Sequence, residues 1–362
     1  MKLIKTLTFA AFAAGLGLVI YMYLFSLNSM DSNATNKIEF DLLKGMRPME
    51  ISSALEKAGI IKDRHAMFWV GKITGGWTNI RAADYELSAS MSPNQIFKTF
   101  KSGIGIQHSI LVREGDNLYQ VAKTLEEQKL SNHVAMLKLF RNHDFIAGLG
   151  LDNEGLRSLE GYLFPNTYFY DKHDGANSVV KRMVDAFIRT WTPEYEARSQ
   201  ELGMTRYQIV ILASMIEKET GASFERPIIS SVFHNRLRKK MRLQSDPTTI
   251  YGMWERYDGN IHKKDLSAHN EYNTYTIPAL PVGPISNPSA EAVKAALYPA
   301  DTEYLYFVSK NDGTHMFSKT YDEHVGWVKK TQLDPRAREG KSWRDLKKNQ
   351  AAGVSGAAPT HP

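Results

Sequence analysis

The residues best placed to do chemistry are two glutamates, Glu217 and Glu219, near the end of the apolar segment 207–221. That segment is apolar nearly all round, which predicts a buried helix, and Gly221 is a natural residue to end it. The C-terminal end of a helix dipole disfavours negative charge, so carboxyl groups at this place need a reason to be there. A carboxyl group serves as a general acid when its surroundings bring its pKa near neutral.

Helix geometry separates the two acids. Positions i and i+2 point about 200° apart on a helix, so Glu217 and Glu219 cannot form a pair on one face. Glu219 continues the apolar stripe of the helix, and Glu217 continues a stripe of smaller side chains. Apolar surroundings and the negative dipole end predict a raised pKa for Glu219, which suits a general acid, whereas Glu217 is predicted to be a structural hydrogen-bonding partner. The alternative is that both are surface residues of a frayed helix end.

Three polar loops broken by prolines follow these acids, over residues 243–252, 272–278 and 280–288. Their amide, hydroxyl and aromatic groups suit sugar recognition, with rings stacking on sugars and amides pairing with hydroxyl or acetamido groups. The predicted substrate-binding residues are Gln244, Ser245, Asp246, Thr248, Tyr251, Asn273, Tyr275 and Asn287. Each loop by itself could be structural. A buried acid followed by three such loops favours a saccharide site.

Other chemistries lack the residues that they need. The chain has no cysteine, which excludes disulfides, thiolate nucleophiles and cysteine-ligated zinc or iron–sulfur centres. It has no H-E-x-x-H, no G-x-S-x-G and no phosphate-binding P-loop motif, and its eleven histidines show no pair at metal-ligand helix spacing. Neither a metal nor a cofactor is expected. A net charge of +6 permits an anionic partner without identifying one.

The N-terminus carries a run of 22 residues without a charge, Thr6–Leu27. As a helix this run is roughly 33 Å long, enough for a bilayer core of about 30 Å, so residues 6–27 are predicted to span a membrane. Lys2 and Lys5 precede the run, and by the positive-inside rule residues 1–5 are expected in the cytoplasm. A cleaved signal peptide is the alternative. Either interpretation places the rest of the chain outside the cytoplasm, which disfavours nucleic-acid chemistry.

Beyond a polar linker over 28–36, a weak internal repeat at an offset of 70 residues marks the region 37–150, with Gly45 aligned to Gly115. Each copy is predicted to be a strand, a glycine turn and two helices. This β-α-α order is that of small LysM-type peptidoglycan-binding modules, and both carbohydrate binding and simple scaffolding stay open. Between the copies, Ser92 is predicted to cap a helix over 93–102.

The second part of the chain, residues 159–335, is predicted to be the catalytic domain, and the Ala/Gly/Pro/Ser-rich end over 349–362 is predicted to be a disordered tail. Strands and helices are mixed in both parts. The predicted fold class is therefore α+β: an N-terminal transmembrane helix, a LysM-like β-α-α region and a mixed α/β catalytic domain.

Six segments resemble the signature blocks of the YceG-like endolytic murein transglycosylases. They are Ala213–Thr220, Arg242–Thr248, Tyr272–Tyr275, Gly283–Pro288, Leu305–Val308 with His315 and Phe317, and Leu159–Tyr168. The resemblance implies a single-pass protein of the cell inner membrane with a LysM-like region and a periplasmic catalytic domain. It also implies peptidoglycan glycan strands, the inner membrane and peptidoglycan synthases as partners, and no nucleic acid.

The resemblance further implies roles for particular residues. The catalytic glutamate of the family falls on Glu219, with Glu217, Thr220 and Glu160 in supporting positions. Asn166 stands where the family usually has Asp, and Val282 interrupts its common Pro-Pro-Gly run; these departures concern the loops rather than the acid.

The implied reaction needs one carboxyl group. Glu219 would protonate the glycosidic oxygen between MurNAc and GlcNAc and then deprotonate the C6 hydroxyl, leaving a 1,6-anhydro-MurNAc end and terminating glycan elongation. Gln244, Ser245 and Asn273 would stabilise the oxocarbenium-like centre. One alternative is a muramidase-type hydrolase in which Asp246 supplies a second carboxylate. Another is a non-catalytic wall-binding scaffold.

Overall fold

A computed structural model describes residues 2–151, 155–171 and 174–334. The fold is a mixed α+β fold, in which the strands of the described residues form three two-stranded sheets. The chain divides into two compact units, one of Met1–Ser109 with Phe169–Gly175 and one of Ile110–Tyr168 with Ala176–Pro362. The tail predicted over 349–362 lies outside the described residues.

The first unit surrounds an antiparallel strand pair with four helices. Its elements are α1 (Lys2–Leu27), β1 (Ile38–Leu42), α2 (Pro48–Lys57), α3 (Arg64–Thr74), β2 (Ala83–Leu87) and α4 (Pro93–Ser102). Strand β1 pairs with β2, and apolar side chains such as Phe40, Tyr85 and Phe100 form the core between sheet and helices. Helix α4 begins at its cap Ser92, whose hydroxyl accepts from the backbone N–H of Gln95, so that prediction is confirmed.

Helix α1 covers the segment that was predicted to span a membrane. Its C-terminal end belongs to the first unit, where Met22 and Phe25 pack against the core. Among the described residues, no helix combines the length and the apolar character needed to cross a bilayer. The predicted span is therefore not confirmed.

The second unit is mostly helical. Two strands, β3 (His108–Val112) and β4 (Asn166–Tyr170), pair with each other. The boundary between the two units falls within each strand, after Ser109 and after Tyr168. The remaining elements are α5 (Leu118–Glu127), α6 (His133–Phe140), α7 (His143–Gly148), α8 (Ala176–Thr190), α9 (Pro193–Glu201), α10 (Arg206–Glu219), α11 (Arg226–Arg238), α12 (Asp246–Gly252), α13 (Lys263–Ser267), α14 (Ala290–Leu297), β5 (Tyr306–Ser309), β6 (His315–Ser318) and α15 (Tyr321–Val328).

The two repeat copies have the same local structure. Each has a strand, a glycine turn and two helices: β1, α2 and α3 in one, and β3, α5 and α6 in the other. Gly45 and Gly115 both have positive φ angles, of 90° and 76°. The turns between the paired helices match too, with φ of 71° at Gly59 and 58° at Lys129. The strand–turn–helix–helix pattern predicted for both copies is confirmed.

Helix α10 forms the centre of the second unit, and every residue from Ile209 to Ile216 is buried. The helix packs against α11 and α14. It ends at Glu219, because Thr220 takes an extended conformation with φ −145° and ψ 139°. Gly221 directly follows the last residue of the helix cap, Thr220, as predicted for the residue that ends the helix, and it does so without a positive φ. The hydroxyl of Thr220 accepts from the N–H of Ala222 and starts the next turn.

Candidate active site

Glu219 is the last helical residue of α10, and its half-buried side chain lines a cavity of about 340 Å³. Three of the predicted substrate-binding residues line the same cavity, namely Gln244, Asp246 and Tyr275. The hydroxyl of Ser245 donates to Oε1 of Glu219 at 2.5 Å. The structure thus brings the predicted acid together with four of the eight predicted binding residues.

The surroundings of Glu219 raise its pKa to about 7, in the predicted direction. Burial of the carboxyl group is the main cause, because removal from water penalises the charged form, and the negative charge of Asp246 adds to it. The hydrogen bond from Ser245 and the positive charge of Arg236 favour the carboxylate and limit the rise. At neutral pH the group therefore populates both protonation states, as a residue that alternates between acid and base requires.

Glu217 contacts a different set of groups on the other face of the helix. Its Oε2 accepts from both the backbone N–H, at 3.0 Å, and the hydroxyl of Ser289. Its Oε1 accepts from the guanidinium of the buried Arg226 at 3.1 Å. Because Ser289 caps α14 and Arg226 begins α11, Glu217 joins the end of α10 to the starts of both neighbouring helices. These contacts are those of a structural partner.

The loop that carries Ser245 is held by buried hydroxyl groups. The N–H of Ser245 donates to Oγ1 of Thr274 at 2.9 Å, and the hydroxyl of Thr248 donates to the carbonyl of Ser245 at 2.6 Å. Gln244 has a positive φ of 51°, a strained conformation for this residue type, and its N–H donates to the carbonyl of Thr274. Thr248 is fully buried, so in this structure it positions Ser245 rather than facing a ligand.

Tyr275 and Asn273 belong to one loop but have different surroundings. The hydroxyl of Tyr275 donates to Oδ1 of Asp246 at 2.6 Å, and burial together with that carboxylate raises the pKa of the tyrosine. Asn273 is only 1% exposed; its amide donates to the carbonyls of residues 265, 266 and 268, and its Oδ1 accepts from the hydroxyl of Thr249. Asn273 therefore shapes the loop, and Tyr275 holds the carboxylate in the cavity.

Tyr251 and Glu160 form a second buried pair. The hydroxyl of Tyr251 donates to Oε2 of Glu160 at 2.7 Å, and the N–H of Leu118, at the start of α5, donates to the same carboxyl group. Burial raises the pKa of Glu160 to about 7, although both hydrogen bonds favour the charged form. Tyr251 lines a different cavity from Glu219.

Asn287 is fully buried and joins three segments of the second unit. Its Oδ1 accepts from the N–H groups of Gly161 and Leu163 at 3.0 and 2.9 Å, and its amide donates to the carbonyl of Asp116. Gly161 has a φ of 85°, and a Cβ there would lie 2.6 Å from the side chain of Val210 on α10. The structure thus places Asn287, like Thr248, Tyr251 and Asn273, in the framework rather than on the cavity of Glu219.

The same cavity is lined by Leu243 and by five further residues that were not predicted as site residues. They are Arg236, Tyr306, Phe307, Tyr321 and His324. Arg236 donates to the carbonyls of Leu305 and Leu243 at 2.6 and 2.8 Å and lies 5.3 Å from the ring of Tyr306. It therefore joins the β5–β6 hairpin to the loop before Ser245. Tyr306 and Phe307 lie in the block Leu305–Val308, which was singled out in the sequence. No sequence pattern distinguished Arg236 from other arginines on helices.

The described residues contain no group of three or more acidic or histidine side chains placed to hold a metal ion. The cavity of Glu219 itself carries groups that can hold and move a proton. It offers one carboxyl group that exchanges a proton near pH 7, a hydroxyl that orients that group and a second carboxylate held by a tyrosine.

Comparison with known proteins gives a consistent result. A sequence model of the YceG-like family matches residues 40–330. An endolytic murein transglycosylase of Bacillus subtilis (strain 168) is 32% identical over 312 residues, which cover 82% of this chain and 86% of the relative. An endolytic murein transglycosylase of Streptococcus pneumoniae serotype 2 is 26% identical over 351 residues; the match covers 89% of this chain but 63% of the longer relative.

Among solved structures, a crystal structure of a putative yceG-like protein from Listeria monocytogenes is similar to this chain. It has 32% sequence identity and a TM-score of 0.56, and the match covers 81% of this chain and 99% of that one. The similarity extends over both the first and the second unit, since no match confined to one of them could cover that share of the chain.

Proposed function

The chain belongs to the YceG-like family, and from that premise we propose that it is an endolytic murein transglycosylase, a lyase that cuts peptidoglycan glycan strands within the strand. The observation that carries the proposal is the placement of Glu219. Its carboxyl group has a pKa of about 7, faces a cavity and is oriented by Ser245 at 2.5 Å. These are the properties of a group that both donates and accepts a proton.

The first step of the proposed reaction uses the protonated form of Glu219. Its carboxyl proton passes to the glycosidic oxygen between MurNAc and GlcNAc, and the bond from that oxygen to C1 of MurNAc breaks. The GlcNAc side leaves with a free hydroxyl group. Positive charge develops at C1, where the amide of Gln244 and the carboxylate of Asp246 line the cavity. Because Asn273 is buried, it supports this step only through the shape of its loop.

The second step uses the carboxylate form of the same residue. Glu219 takes the proton of the C6 hydroxyl of MurNAc while O6 bonds to C1, which closes a 1,6-anhydro ring. The enzyme ends the cycle protonated as it began, and no water is consumed. A strand that ends in this ring has no free reducing end, and we propose that the product terminates elongation of nascent strands.

Asp246 supports a second candidate function, a muramidase-type hydrolase. It lines the same cavity, and its charge raises the pKa of Glu219. In such an enzyme the second carboxylate acts as nucleophile or activates water, and the product keeps a free reducing end. The two functions differ in their products and in whether the carboxylate of Asp246 is needed for the reaction.

We further propose that region 37–150 binds the wall and that the chain acts in the periplasm, anchored in the inner membrane beside peptidoglycan synthases. The supporting observations are the repeated β-α-α structure, the 22 residues without charge over 6–27 and the lysines that precede them. Protease digestion of intact spheroplasts tests the location: the second unit should be cut from outside. Protection of that unit until lysis would contradict the proposal.

The proposed activity is tested by digesting purified glycan strands with the full chain and with Glu219→Gln. Cutting within strands predicts products of intermediate length early in the digest. Release of single disaccharides from the first time point would contradict an endolytic action, and equal digestion by the Glu219→Gln variant would contradict the role of this residue.

A further inference from the structure

A second cavity, of about 550 Å³, lies at the other end of the short helix α12. Asp246, the first residue of α12, lines the cavity of Glu219, whereas Tyr251 and Gly252 at its end line the second cavity. The loop over residues 272–278 has the same arrangement, since Tyr275 lines the cavity of Glu219 and Tyr272 lines the second cavity. The two cavities are therefore built on the same two segments.

The separation of the cavities limits what could occupy both. Tyr251 lies five positions after Asp246 in the helix, a rise of about 7.5 Å along the axis. A ligand that fills the cavity of Glu219 and reaches the second one must therefore be a polymer segment rather than a single sugar ring.

Aromatic rings line the second cavity and continue past it. Tyr272 lies 4.7 Å from Tyr251, Tyr251 lies 6.3 Å from Tyr119, and Tyr119 stacks on Trp254 at 6.1 Å with an angle of 18° between the rings. Tyr119, Trp254 and Tyr272 are partly exposed. Tyr119 lines both the second cavity and a neighbouring depression of about 510 Å³, and Trp254 lines that depression, so the aromatic surface continues from one to the other. Exposed ring faces are the surface on which sugars stack.

The charged groups of the second cavity include two arginines. Arg141 lies 5.4 Å from the ring of Tyr119 and donates to its hydroxyl at 2.9 Å, and Arg157 pairs with the exposed Glu271 at 2.8 Å. Arg141 is exposed and is available to a ligand as well. An exposed guanidinium beside an aromatic surface suits a saccharide that carries carboxylate groups.

We propose that this second cavity and the depression beside it bind the peptidoglycan strand away from the bond that is cut, with sugar rings on Tyr119 and Trp254 and a stem-peptide carboxylate at Arg141. The inference rests on the proposed function, because it assigns a further stretch of the same substrate to a site that Glu219 does not touch. A second site of this kind holds the strand on one side of the cut, which favours cleavage within a strand over cleavage at its end.

The test measures binding of the full chain carrying Glu219→Gln, which should cut strands far more slowly than the wild type, to purified glycan strands whose stem peptides have either free or amidated carboxyl groups. Adding Trp254→Ala should weaken binding of both kinds of strand about fivefold, equivalent to about 1 kcal/mol. Adding Arg141→Gln should weaken binding of the strands with free stem carboxyl groups alone. Matched controls are Trp191→Ala and Arg206→Gln, because Arg206 lies over Trp191 at 5.9 Å and neither residue lines either cavity.

Equal affinities for Trp254→Ala and Trp191→Ala would overturn the assignment of the aromatic surface. Equal losses by Arg141→Gln on both kinds of strand would overturn the assignment of the carboxylate. If Trp254→Ala unfolds at a lower temperature than Trp191→Ala, the proposal is tested by the effect on binding of Arg141→Gln, a substitution at an exposed position. Cleavage assays with the wild-type chain distinguish the two proposals. If the wild-type chain cuts strands and the variants bind strands as tightly as their controls, the proposal for the second cavity alone is contradicted. If the wild-type chain does not cut strands, the proposed function is contradicted.

Discussion

Two glutamates of the second unit, Glu219 and Glu160, have pKa values raised to about 7 by the same cause, burial of a carboxyl group. Their surroundings differ in access. Glu160 is 1% exposed and is enclosed by Tyr251 and the N-terminus of α5, while Glu219 faces a cavity. A raised pKa alone therefore does not identify a catalytic acid. The acid that can also meet a substrate is Glu219, and Glu160 serves the structure that positions it.

Helix α12 connects the two environments. Tyr251 near its end donates to Glu160, and Ser245 immediately before its start donates to Glu219. Glu160 thereby fixes one end of α12, and the other end presents Ser245 and Asp246 to the cavity. The comparison predicts that substitutions at Glu219 affect the reaction and that substitutions at Glu160 affect folding.

The largest expected effect is on the rate for Glu219→Gln. Removing a general acid and base lowers rates by roughly 10²–10⁴-fold, and we expect cleavage of glycan strands to fall within this range. The measurement is the initial rate of product release, with the melting temperature as a check that the fold is intact. A rate within tenfold of wild type would show that another group supplies the proton.

Glu160→Ala should instead destabilise the fold. It leaves the N–H of Leu118 and the hydroxyl of Tyr251 buried without their partner, at a cost of about 3 kcal/mol in the free energy of unfolding. Glu219→Ala, the matched variant at the cavity, should change that free energy by less than about 1 kcal/mol. Denaturant unfolding at pH 5.5 measures both, and equal losses would remove the distinction between the two sites.

Both glutamates should contribute to the pH dependence of the free energy of unfolding. Between the usual pKa of 4.5 and the folded value of about 7, the folded chain holds protons that the unfolded chain has released. These two groups therefore make stability fall as pH rises through this range, and their effect is constant above it. The Glu160→Gln variant has no titrating group at this position, so its free energy of unfolding should fall less steeply as pH rises. A slope identical to that of wild type would contradict the raised pKa of Glu160.

The smallest expected effects are opposite shifts in the pH–rate profile. The hydrogen bond from Ser245 lowers the pKa of Glu219, so Ser245→Ala should move the alkaline limb to higher pH. The charge of Asp246 raises that pKa, so Asp246→Asn should move the limb to lower pH while the enzyme stays active. Ser267→Ala, at an exposed position, is the control. Complete inactivity of Asp246→Asn would favour the muramidase-type alternative.

Local sequence rules predicted much of this structure. The cap at Ser92 and the matching turns at Gly45 and Gly115 follow from residue types that act on their own backbone, so they can be recognised without tertiary contacts. The position of Glu219 on a different face from Glu217 follows from helix geometry alone. Gly221 follows the end of α10 as predicted, and the hydroxyl of Thr220 forms the turn there.

The lining of the cavity could not be predicted in the same way. Thr248, Asn273 and Asn287 look like ligand-binding residues in a sequence, because a polar side chain in a loop has the same identity whether it meets a ligand or a backbone carbonyl. All three are buried and bonded to protein groups. Arg236 is held beside the cavity by the carbonyls of Leu243 and Leu305, and Leu305 is 69 residues away in sequence, so only the folded chain brings these groups together.

The central claim is that Glu219 alone moves the proton and that no water enters the product. Digestion of glycan strands in H₂¹⁸O, followed by mass spectrometry of the new ends, tests it most directly. We expect 1,6-anhydro-MurNAc ends without ¹⁸O from the wild-type chain, and far fewer new ends in the same time from the Glu219→Gln variant. Reducing MurNAc ends that carry ¹⁸O from the cleavage step would contradict it.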